Sequence, residues 1–67
     1  MTNIDALKKK ISDSGMPVST VAKRSGIVRG TLYNRLAGVG EFTASEISGL
    51  AESLKLTNTE RDCIFFN

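Results

Sequence analysis

Apolar residues in this chain recur at three- and four-residue intervals rather than at every second position, and each run is bounded by a cap or a glycine. Ile4, Leu7 and Ile11 make the first stripe. Thr2 or Asn3 can cap it and Gly15 ends it, which predicts a helix over about Ile4–Ser14. Pro17 suits the first turn of a second, short helix, where its missing N–H costs nothing. That helix is expected to reach about Ser25, with Val18, Val21 and Ala22 inward and Gly26 as its stop. A third is expected over about Arg29–Ala37, with Leu32 and Leu36 inward and Gly38 and Gly40 after it.

The fourth helix has the most complete local signature. Thr43 and Glu46 have the spacing of a capping box, in which each side chain accepts the other residue's orphan N–H. Ile47, Leu50, Ala51 and Leu54 then follow as one buried stripe. Thr57 and Glu60 repeat the box and open a fifth helix toward Phe66. No strand-like alternation persists, and there is no repeat, linker or low-complexity stretch. The expected architecture is all-α, with residues 1–67 forming one compact five-helix domain with short connections.

Composition narrows the chemistry. The 67 residues include no histidine, no tryptophan and one cysteine, Cys63. A Ser-His-Asp or Cys-His nucleophile and an intrachain disulfide are therefore ruled out within this sequence, and a structural zinc site is not expected. No enzymatic activity and no cofactor are expected. No apolar run approaches the roughly 20 residues of a membrane helix, and Met1–Lys10 lacks the apolar stretch of a signal peptide. The expected location is cytoplasmic, with no membrane partner. Cys63 is expected to be a small, partly buried residue.

Charge is unevenly spread. Residues 1–38 carry seven Lys or Arg against two Asp, whereas residues 39–67 carry two against five Asp or Glu. A basic half is the footprint expected of a phosphate-binding face, although Lys8, Lys9 and Lys10 read equally well as a solvated helix side. The acidic half reads as a solvated back face, with Glu46 and Glu60 already used by the capping boxes.

The stretch that carries function is Val18–Gly38, VSTVAKRSGIVRGTLYNRLAG. Ala22 stands four residues before Gly26 and permits a close helix approach. Gly26 occupies the turn, where a positive φ is cheap only without a β-carbon. Leu32, ten residues after Ala22, anchors the second helix. This is the spacing of a helix-turn-helix, with the motif at about residues 18–37 and its second helix presented outward.

On Val21-Ala22, Gly26-Ile27, Leu32 and Leu36-Ala37-Gly38 the chain resembles the lambda-repressor-like family, the Cro or XRE-type helix-turn-helix proteins. Glu41–Ile47 and Arg61–Phe66 also resemble small phage and prophage regulators of that family, and the resemblance covers nearly the whole chain. It implies a five-helix lambda-repressor-like domain acting in a repressor-controlled genetic switch inside a host bacterial cell. It also implies double-stranded operator DNA as partner, with the helix at about 29–37 in the major groove. Arg29, Gly30, Tyr33 and Asn34 would then face the bases. Arg29 suits guanine O6 and N7, and Asn34 suits adenine N6 and N7. Ser19, Thr20, Lys23 and Arg35 would meet phosphates.

A second partner stays open. Val18 stands where many relatives carry glutamine, and Val28 stands where many carry a capping Ser or Thr. Val28, Arg29, Gly30, Tyr33 and Asn34 also describe the centre of a protein interface. In modulator-of-repression relatives such a face docks on a phage repressor and blocks its DNA-binding surface. Tyr33 follows Leu32 directly and is expected to point outward. Ile64 and one of Phe65 and Phe66 are expected to complete the core, leaving the other for contact between copies. A monomer or weak homodimer is expected.

Overall fold

A computed structural model describes residues 1–66 of the chain. Its five helices are α1 (Ile4–Asp13), α2 (Val18–Ser25), α3 (Arg29–Leu36), α4 (Ala44–Ser53) and α5 (Asn58–Phe65). No strand occurs among the described residues, and no helix there is long and apolar enough to cross a membrane. The expected boundaries hold to within about a residue. Ser14 and Ala37 are caps rather than helical residues. Pro17 is likewise displaced by one position, because its ψ of 155° is extended and puts it at the N-cap of α2.

Four of the expected ends are built as their sequence implies. The Asn3 side chain accepts the amide of Ala6 at 3.1 Å and caps α1. Both capping boxes form. Thr43 and Glu46 exchange bonds of 3.0 and 3.3 Å, and Thr57 and Glu60 exchange bonds of 2.9 and 3.1 Å. At the end of α2, Gly26 adopts a φ of 72°, and Ile27 donates back to the Ala22 carbonyl at 2.9 Å. That backward bond satisfies an orphan carbonyl and carries Ile27 into the core.

The core draws on all five helices and the turn after α2. Leu7, Val21, Leu32 and Leu50 are completely buried, joined by Ile11, Ala22, Ile27, Leu36, Ile47, Ile64 and Phe65. Ile4, Val18, Ala51 and Leu54 are only half-buried, so the stripes are narrower than their spacing implies. Cys63 corrects its expectation of partial burial. It is exposed, because Ile64 and Phe65 take the inward positions of α5.

One close approach in the fold is not announced by periodicity. Gly49 lies in the middle of α4, and a methyl group there would run into the backbone carbonyl of Ser25 at the end of α2. The Ser25 hydroxyl donates to Ser53 Oγ at 2.9 Å, and Ser53 donates to the Gly49 carbonyl at 2.8 Å. The buried Ser25 hydroxyl is thus satisfied within the contact. Helix α2 is seated directly on α4, and α3 follows from the turn at Gly26. At the other side the Asn3 amide donates to the Ile64 carbonyl at 2.6 Å, and Lys10 of α1 bonds Glu60 of α5.

Candidate functional site

Helix α3 has two unlike sides. Leu32 and Leu36, four residues apart, are buried and fix its rotation. Residues at the complementary phases are therefore turned out. Arg29, Gly30 and Asn34 are exposed, as is Tyr33, which retains 51% of its accessible surface. The expected outward direction of Tyr33 is met. Val28, the residue before the helix, is 74% exposed. It has extended backbone, with φ −60° and ψ 132°, and no side-chain bond to the first turn. The first-turn amides of α3 therefore lack a side-chain cap, unlike those of α4 and α5.

Helix α2 contributes the flank. Ser19 and Thr20 are half-buried near its start, and Lys23 is exposed. Lys23 and Arg24 occupy its last turn, where cations suit the negative end of the helix dipole. Among the described residues neither of them, nor Arg29, pairs with a carboxylate. The reason lies in the sequence, since residues 14–40 hold Lys23, Arg24, Arg29 and Arg35 and no Asp or Glu. Arg24 is an exposed cation that the motif spacing did not single out; the missing acids were the available signal.

Arg35 stands apart from the other expected phosphate contacts. Its guanidinium Nε lies 3.7 Å from Glu46 Oε1, and Nη1 reaches the Val39 carbonyl at 3.5 Å. The same group covers Gly40, where a β-carbon would strike it. Its side chain is half-buried and ties the end of α3 to the start of α4. The lysine row on α1 is also less available than its sequence reads. Lys9 pairs with Asp13 at 3.5 Å and Lys10 pairs with Glu60, while Lys8 is exposed. The bond from Lys10, followed by the Thr57 amide, holds the Glu60 carboxyl below its ordinary value.

A second apolar feature lies beside the helix ends of α1 and α5. Phe65 meets Phe42 edge to face, with ring centroids 5.4 Å apart at 75°. Phe66 is 63% exposed and borders an open groove of about 570 Å³ with Ile4, Phe42 and Ile47. One terminal aromatic is in the core and the other outside, as expected.

No family model, curated protein or solved structure matches this chain.

Proposed function

We propose that this chain is a small DNA-binding transcriptional regulator whose α2 and α3 work as a lambda-repressor-like helix-turn-helix. The observation that carries the reading is the acid-free segment 14–40, in which the exposed Lys23, Arg24 and Arg29 pair with no carboxylate and Tyr33 and Asn34 are exposed as well. Cations left without internal partners are free to displace the counterions of a phosphate backbone. Helix α3 lies in the major groove, Arg29 meets guanine and Asn34 meets adenine. Ser19, Thr20, Lys23 and Arg24 hold the flanking phosphates and set the register. Arg35 acts indirectly, by fixing the end of α3 through Glu46.

A repressor protein as partner is the second reading. It is favoured by the exposure of Val28 and Tyr33, since apolar and aromatic surface at the centre of a patch is typical of protein contacts. The occupant would be the DNA-reading face of a phage repressor, and the outcome antirepression.

Titration of the protein with duplex DNA from the region flanking its own gene, followed by backbone amide NMR, tests both. The DNA reading expects shifts centred on Arg29–Asn34 and an affinity that falls about tenfold or more between 50 and 200 mM salt. Charge reversal at Lys23 and Arg24 should abolish binding, whereas reversal at the paired Lys9 and Lys10 should do less. An unshifted spectrum overturns the DNA reading. Binding of the neighbouring repressor that is insensitive to salt and lost in Val28→Asp would then establish the second.

A further inference from the structure

We infer that the open groove beside the ends of α1 and α5 is the seat for a second copy of this chain, the two copies meeting face to face about a two-fold axis. The groove encloses about 570 Å³ and is walled by Ile4, Phe42, Ile47, Phe65 and Phe66. Ile47 and Phe65 belong to the core, so the groove is an unclosed edge of it. Phe66 keeps 63% of its surface exposed. Val39, exposed as well, lies between Gly38 and Gly40, which both line the groove. Exposed apolar side chains gathered around an apolar hollow mark an interaction site, whereas single ones need no explanation.

Shape and charge both identify the occupant as a copy. The patch holds an unfilled groove and an unburied aromatic together, so two-fold pairing lets Phe66 of each copy enter the other's groove. Glu41 is the one charged side chain in the lining, and it pairs with no cation among the described residues. Beside it the Arg35 guanidinium lies over Gly40 and is incompletely bonded. Its Nη1 has a bond of 3.5 Å to the Val39 carbonyl, and its Nε has no hydrogen bond and only the 3.7 Å ion pair with Glu46. An under-used anion and cation therefore stand at one edge of the groove, and a two-fold axis brings Glu41 of each copy toward Arg35 of the other. Arg29, Tyr33 and Asn34 are not in the lining, so pairing leaves the α3 face uncovered. The groove involves fewer residues than the roughly 20–30 a side of a standard interface, which makes the pair a weak one.

The test is sedimentation equilibrium of the full chain without DNA, from about 10 µM to about 2 mM, which brackets the ~0.1–1 mM dissociation constant of a weak pair. A reductant keeps the exposed Cys63 from bridging copies. The wild type should follow a monomer–dimer equilibrium, and its concentration-dependent amide NMR shifts should fall on Gly40, Glu41, Phe42 and Phe66. Phe66→Ser should weaken pairing at least about tenfold, because each pair loses two buried rings. Glu41→Lys should weaken it about threefold. Both residues are exposed, so both variants should keep the wild-type circular dichroism spectrum. A chain that stays monomeric throughout overturns the inference. So does growth beyond a dimer, association that Phe66→Ser leaves unchanged, or shifts that fall on Val28–Asn34 instead. None of these outcomes bears on the DNA-binding reading, which fails separately if no duplex is bound.

Discussion

Helices α4 and α5 each begin with a reciprocal capping box, whereas α2 and α3 begin at Pro17 and Val28 with no side chain bonded to their first turns. The acidic residues divide in the same way, with Glu46 and Glu60 inside the boxes and none at all between residues 14 and 40. Helices α4 and α5 thus satisfy their own starts, while Glu46 and Glu60 also meet Arg35 of α3 and Lys10 of α1. Helices α2 and α3 leave amides, cations and the Val28 side chain turned outward, and take their hold from α4. The Ser25 carbonyl against Gly49, with the hydroxyl bonds through Ser53, is where that hold is applied. The capped helices α4 and α5 thus form the support, and the uncapped α2 and α3 carry the more open surface. The presenting pair can be chemically open because its seat is close-packed.

The contact between Ser25 and Gly49 carries the largest expected effect. Gly49→Ala should cost about 1–3 kcal/mol, because the added methyl meets backbone rather than a flexible side chain. In a domain of this size that lowers the thermal midpoint by at least about 5 °C, as read by circular dichroism at 222 nm. An unchanged midpoint would mean that α2 is held by something other than this contact.

Exchanging the helix starts has a smaller effect and tests the comparison from both sides. Thr57→Ala removes a box and should cost about 1 kcal/mol in urea unfolding. Val28→Ser supplies a cap where none exists and should raise stability by about 0.5–1 kcal/mol. If Val28→Ser destabilises instead, the first turn of α3 is already satisfied and the proposed division is wrong.

The smallest effect concerns the Lys10–Glu60 bond between α1 and α5. Glu60 has its folded pKa depressed below its ordinary 4.5, chiefly by the bond from Lys10. A depressed carboxylate contributes stability that is complete above its unfolded pKa and disappears as pH falls through the folded one. The window therefore lies below about pH 4.5. Thermal midpoints measured between pH 6 and pH 3 should fall less for Lys10→Met than for the wild type. Parallel curves for the two proteins would remove Glu60 from the account.

Local features of the fold were legible in the sequence because their causes are local. The boxes at Thr43 and Thr57, the turn at Gly26 and the inward Leu32 and Leu36 each depend on residues within one or two turns. The features missed join distant segments. Gly49 reads as a weak point in α4 until Ser25 lies against it. Arg35 reads as a free cation until the loop through Gly40 brings Glu46 beside it. Cys63 reads as a small, partly buried residue until the packing of Ile64 and Phe65 into the core sets the phase of α5. The candidate face was legible as a spacing of residue types. The stretch without acids around it was legible too, whereas the loss of Arg35 to Glu46 is shown only by the folded arrangement.

The bond from the Asn3 amide to the Ile64 carbonyl has a kinetic consequence. It joins segments near the two ends of the described chain, so closing it carries a large loop-closure entropy. The docking of α1 on α5 should therefore come after α2, α3 and α4 have assembled, and be the first contact released. In native-state hydrogen exchange the Asn3 amide should open at a lower free energy than the Leu32 or Leu50 amides, so that the molecule loosens at its seam while the presenting helices keep their order.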